Sequence, residues 1–146
     1  MPADVVRGIP AIAVVLACSR ATVRRIARKA PRPDIGPLRL WSAAHDPMPW
    51  SLHERLTMYR RRWRTPDDPA IPRVQNWPAI AACLGVNAET AERLARREHD
   101  PLPVGFTATG RREAYLHALL DWLDAQSRPH VVRVEERRER AERRAA

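Results

Sequence analysis

Apolar residues recur at helical spacing in short blocks separated by turn residues, and one such block occurs twice. From Trp77 onward, Ile80, Ala81 and Leu84 fall at i, i+1 and i+4, which is the spacing of one helix face, and Pro78 suits a first turn. Gly85-Val86 supplies a tight turn and Asn87 a cap. Ala91, Leu94 and Ala95 then mark the inner face of a second helix, predicted over 88–98. The same pattern stands earlier as Ile12, Ala13 and Leu16, a turn at Ala17-Cys18, Ser19 as cap, and Val23, Ile26 and Ala27 facing inward. Both stretches predict helix, short turn, helix, with small residues where the helices cross.

Displacing the chain on itself by 68 positions aligns 10–33 with 78–101 without a gap, and 10 of the 24 residues are identical. Farther on the match resumes at a displacement of 64, with Leu52-His53 on Leu116-His117 and Leu56 on Leu120. That change puts four extra residues of the first copy around Trp41 to Pro47, as expected of a hairpin tip on the surface. In the second copy, Leu102-Pro103-Val104-Gly105-Phe106 and Tyr115-Leu116 flank Gly110-Arg111-Arg112, which predicts a small hairpin with a basic tip. A closing helix follows with Leu119, Leu120, Trp122 and Leu123 on its apolar face, and Leu52, Leu56, Tyr59 and Trp63 are offered by the first copy. The proline-spaced run from Thr65 to Pro72 predicts a stiff, extended linker. The organisation is therefore a first module at 1–64, a Pro-rich linker at 65–76, a second module at 77–128 and a charged C-terminal helix or tail at 129–146. Copies of roughly 60 residues bury only about 60% of their unfolded surface alone and are expected to lean on each other.

Charge narrows the function classes. The 146 residues carry 26 Lys plus Arg against 17 Asp plus Glu, a formal +9, and every cation except Lys29 is arginine. This balance points to an anionic partner, and the guanidinium fork suits phosphate or a guanine edge, although a GC-rich genome produces the same bias. Divided within the Pro-rich run and at the start of the tail, 1–68 carries +7, 69–128 carries 0 and 129–146 carries +2. Cys18 and Cys83 lie in apolar runs, and no His or Cys pair has metal-ligand spacing, so zinc fingers and disulfide scaffolds are excluded and no cofactor is expected. The run Ile9 to Cys18 imitates a signal segment, and Val15-Leu16-Ala17-Cys18 resembles a lipoprotein cleavage site, but a leader would not recur in mid-chain. No stretch of ~20 apolar residues predicts a membrane span. No nucleophile elbow, phosphate-cradling glycine loop or HExxH element occurs, and no enzymatic activity is expected.

With 23, 26 and 27 facing inward, the outward face of the first copy's second helix is Arg20, Ala21, Arg24, Arg25 and Arg28, with Lys29 beyond. Such a helix presents cations near its start, where base edges are met. The run Trp77-Pro78-Ala79-Ile80-Ala81-Ala82-Cys83-Leu84-Gly85-Val86-Asn87, with Thr90-Ala91-Glu92-Arg93, Leu102-Pro103-Val104 and Leu120-Asp121-Trp122-Leu123, resembles the winged helix-turn-helix modules of the MerR-like, excisionase and phage small-terminase group. The first copy resembles them from Ile12-Ala13 to Arg28, with Ala17 in place of the turn glycine and without the Leu-Asp-Trp-Leu ending. The resemblance implies a mainly α fold of two tandem winged helix-turn-helix modules with small β-hairpin wings. It also implies a second helix in the major groove of double-stranded DNA and a wing on the backbone. By position, it assigns DNA contacts to Arg20, Arg24, Arg25, Arg28 and Lys29, to Asn87, Ala88, Glu92, Arg93, Arg96 and Arg97, and to the wing residues Arg111 and Arg112.

The copies are not equivalent, because Glu89, Glu92 and Glu98 offset Arg93, Arg96 and Arg97. Glu92 accepting from a cytosine amino group would make the second copy a base reader, and a protein-docking role is the alternative. The function expected is a bacterial or phage transcriptional regulator in the cytoplasm, on the nucleoid. The alternatives are a packaging small terminase or excisionase-like architectural factor, and a protein-interaction module with a degenerate helix-turn-helix. A homo-oligomer or a partner protein would form through the second module. Along the tail, Glu136 with Arg140 and Glu139 with Arg143 stand in favourable i,i+4 order, without a sustained heptad.

Overall fold

The computed structural model describes residues 4–43, 45–127 and 144. The order is β1 (Val5–Arg7), α1 (Ile9–Leu16), α2 (Arg20–Arg28), β2 (Trp41–Ala43), β3 (Asp46–Leu52) and α3 (His53–Arg64). It is followed by β4 (Arg73–Gln75), α4 (Trp77–Leu84), α5 (Ala88–Arg96), β5 (Gly105–Phe106), β6 (Arg112–Tyr115) and α6 (Leu116–Ser127). Each half runs strand, helix, helix, strand, strand, helix. The strands form two antiparallel three-stranded sheets, β1-β3-β2 and β4-β6-β5, so about half of the described residues are helical. The tail expected over 129–146 lies outside the described residues, position 144 apart.

Corresponding residues end the helices in the two halves. Ala17 (φ 54°) and Gly85 (φ 71°) are both left-handed, and the next amides close back, Cys18 onto the Ala13 carbonyl and Val86 onto the Ala81 carbonyl, each at 3.1 Å. The Ser19 hydroxyl accepts the Thr22 amide at 3.1 Å, and the Asn87 Oδ1 accepts the Thr90 amide at 2.8 Å, which caps α2 and α5. Before α1 and α4, Gly8 (φ 87°) and Asn76 (φ 70°) donate their amides to the carbonyls of Pro49 and Arg112.

Five features differ from the sequence expectation. The strands β1 and β4 have no counterpart in it, and β4 occupies part of the span expected as linker. The rest of that span is not extended. Pro66 and Pro69 stand second in two successive turns closed by Asp68 N–H to Thr65 O and Ile71 N–H to Asp68 O, both 3.1 Å, as suits their fixed φ. Helix α5 ends at Arg96, short of Glu98. The extra residues of the first half lie mainly in the loop after α2. The Leu38 amide bonds Ile26 O and the Leu102 amide bonds Leu94 O, so the displacement has already fallen from 68 to 64 before the hairpin begins. One more residue enters at the β2–β3 irregularity, and the closing helices correspond at 63, with Leu56 on Leu119 and Tyr59 on Trp122. Leu120 and Leu123, expected on the apolar face, are instead 47% and 39% exposed, because the true inner stripe is Ala118, Leu119, Trp122 and Ala125.

The halves share their interior. One core gathers Ile12, Leu16, Val23, Ile26, Leu38, Leu40, Leu56 and Tyr59 with Ile71, Tyr115 and Ala118 from beyond the first half. The other holds Ile80, Ala81, Ala91, Leu102, Leu119 and Trp122. Between them, among the described residues, run ion pairs whose cations come from the first half and whose carboxylates come from the second. Arg39 grips Asp100 through both nitrogens (2.6 and 3.1 Å), Arg55 meets Asp124 at 2.9 Å, and the fully buried Arg62 faces Asp121 at 3.4 Å. Burial pushes the Asp121 carboxyl above the usual carboxylate range and pulls the Arg62 guanidinium below its own. At Asp100 burial acts upward, but the Arg39 bonds prevail and hold the carboxyl low.

Candidate nucleic-acid interface

Helix α2 is divided cleanly by its own sequence. Val23, Ile26 and Ala27 are at most 4% exposed and pack on Ile12, Ala13 and Leu16 of α1, so their spacing forces the other positions outward. Arg20, Arg24, Arg25, Arg28 and Lys29 are all exposed, and Ala21, Arg24, Arg25, Arg28 and Lys29 line a shallow open depression. Among the described residues, Arg20, Arg24 and Arg25 have no ion-pair partner. Ser19, Arg20 and Ala21, the cap and start of α2, are exposed.

One cation near this helix was not found by sequence reasoning. Arg64, the last residue of α3, is exposed, lies 4.6 Å from the centre of the Trp63 ring and donates to the Ala17 carbonyl at 3.2 Å, beside the turn between α1 and α2. Burial raises the Cys18 thiol at this turn, while Arg64 and Arg25 pull it down, which places both cations near it. Only the spacing of Arg64 from the inner residue Tyr59 offered a signal, and the partner lies 47 positions away.

The second half is more divided. Asn87, Arg93 and Arg96 are exposed on α5, with Ala88 and Glu92 half-buried among them. Asn87 spends its Oδ1 on the cap, and Arg93 reaches the Thr90 hydroxyl at 3.3 Å. Arg97 leaves this face. Its guanidinium donates to the Asp100 carbonyl (3.0 Å) and to Gln126 Oε1 (2.7 Å), and it lies 4.9 Å from the centre of the Trp122 ring. At the β5–β6 hairpin, Thr107 and Arg111 close the turn (2.8 Å) around Gly110 (φ 82°), and the Arg111 side chain is exposed. Arg112 is held between rings, 3.8 Å from the centre of Phe106 and 5.3 Å from that of Trp77. The corresponding hairpin of the first half carries Asp46 paired with Arg7 and an exposed His45 at its tip.

The geometry brings five cations together on α2, sets a mixed acidic and basic face on α5, and anchors Arg112 beneath the second hairpin. No group of three or more His, Cys, Asp or Glu among the described residues forms a metal-binding cluster. No helix among them is long and apolar enough to cross a membrane. Comparison with protein-family models, with curated proteins and with solved structures finds no match.

Proposed function

We propose that the chain binds double-stranded DNA as two tandem winged helix-turn-helix modules and acts as a transcriptional regulator, with α2 in the major groove. The observation that carries this reading is the outward face of α2, where Arg20, Arg24, Arg25, Arg28 and Lys29 stand exposed opposite a fully buried stripe. Arginines on a capped helix with one exposed face meet phosphates and guanine edges, and the counterions they release drive association. The β5–β6 hairpin would lie on the backbone through Arg111, with Arg112 fixed behind it.

Anisotropy titrations with mixed-sequence duplexes test this reading. Log K should fall linearly with log salt by about 0.9 per phosphate contact, so that four contacts cost about a hundredfold between about 50 and 200 mM. Equal and negligible binding at both concentrations contradicts it. For the second half, the carboxylates Glu89 and Glu92 on α5 favour a second role, reading a cytosine or docking a protein, over clamping phosphate.

A further inference from the structure

Contacts between the halves are reciprocal. Gly36 and Asp100 correspond at a displacement of 64. Both are left-handed, with φ of 73° and 48°, and each accepts a bond from the matching closing-helix aromatic, Tyr59 OH to Gly36 O (3.4 Å) and Trp122 Nε1 to Asp100 O (3.0 Å). Arg39 and Pro103 also correspond at 64. Arg39 of the first half seizes Asp100 of the second, while Pro103 of the second lies against Gly36 of the first, 3.5 Å from where its Cβ would stand. Position a therefore meets position b in both directions. A repeat stacked by translation would give one of these contacts and not the other, whereas a twofold relation requires both.

The groove between α3 and α6 says the same. Its lining includes Glu54 with its counterpart His117, and Met58 with its counterpart Asp121, so it faces itself across an axis. Charge breaks this symmetry, since Arg39, Arg55 and Arg62 all come from one half and their carboxylates from the other.

We infer that a pseudo-twofold axis through the α3–α6 contact relates the halves, and that the DNA recognised is an imperfect inverted repeat. This rests on the DNA-binding reading above. A straight duplex touching equivalent surfaces of both halves must share their axis, as an operator's palindromy mirrors a dimer's symmetry. Under the displacement of 68, Arg25 matches Arg93 and Arg28 matches Arg96, so the half-sites share the base pairs these residues meet. They differ where Arg20 corresponds to Ala88 and Lys29 to Arg97, and most sharply in charge at one pair, since Arg24, which suits guanine, corresponds to Glu92, which suits cytosine.

Selection of the full chain on random duplexes tests the inference, alongside the variant Glu92→Arg. The expected product has two half-sites in opposite orientation, with guanine in one half where the other has cytosine, and Glu92→Arg shifts enrichment to the symmetric site by about tenfold. Half-sites in the same orientation, a single half-site, or an asymmetry unchanged in Glu92→Arg overturn the inference and leave DNA binding standing. A library from which nothing is enriched at low salt overturns the DNA-binding reading itself, and this inference with it.

Discussion

At the scale of single residues, the two halves reveal where each is strained, because each position has an internal reference. Ala17 occupies the left-handed turn that Gly85 fills in the second half, and an L-residue there costs roughly 1 kcal/mol. Ala17→Gly should therefore stabilise the chain by about 0.5 to 1 kcal/mol, raising the melting temperature by a few degrees, as calorimetry can check. Buried Arg62 has Asp121 as its carboxylate partner, and its Nε and Nη1 have none. Asp121→Ala should cost about 3 kcal/mol in chemical denaturation, and Arg62→Met combined with Asp121→Leu should recover most of it. The pH dependence separates the two interfacial carboxylates. Asp100 has a lowered folded pKa, so its stabilisation is full above the ordinary carboxylate pKa and disappears as pH falls through the folded one. Asp121 has a raised folded pKa, so it opposes acid unfolding. In acid titrations of stability, Asp100→Asn should flatten the descending limb and Asp121→Asn should steepen it. Cations such as Arg97 and Arg112 were assigned by helix or hairpin position alone. Their fates depend on Trp122, Gln126, Phe106 and Trp77, which no local pattern connects to them.

At the scale of elements, the helix pairs were legible because apolar spacing, a turn residue and a cap coincide within about 20 positions in each copy. The outward face of α2 followed directly from its inner one. Strands β1 and β4 were not legible, since three residues hold no period and their pairing partners lie about 40 positions away. The closing helix shifted by one residue for a local reason. Leu119-Leu120 and Trp122-Leu123 are adjacent apolar pairs, and sequence identity alone chose the wrong member of the first. Two substitutions check the corrected register. Leu119→Ala, at a site with no solvent exposure, should cost about 2 to 5 kcal/mol, whereas Leu120→Ala should stay within about 0.5 kcal/mol.

At the scale of the whole molecule, Ile71, Tyr115 and Ala118 complete the core of the first half, which therefore does not bury its interior without the second. Thermal unfolding should follow a single transition, seen alike by far-ultraviolet dichroism and by tryptophan fluorescence, and two separated transitions would deny the shared core. The interface also absorbs charge. Arg39, Arg55 and Arg62 contribute to the excess of the first half yet face carboxylates of the second, which leaves α2 as its concentrated exposed cationic surface. DNA binding by this chain rests on that concentration of charge, which the salt dependence of duplex binding by the Arg24→Ala/Arg25→Ala variant measures. The slope of log K against log salt should become shallower by about 1.8, with a loss of affinity far beyond that of Arg137→Ala/Arg138→Ala. An unchanged slope with equal losses in both variants would contradict the account.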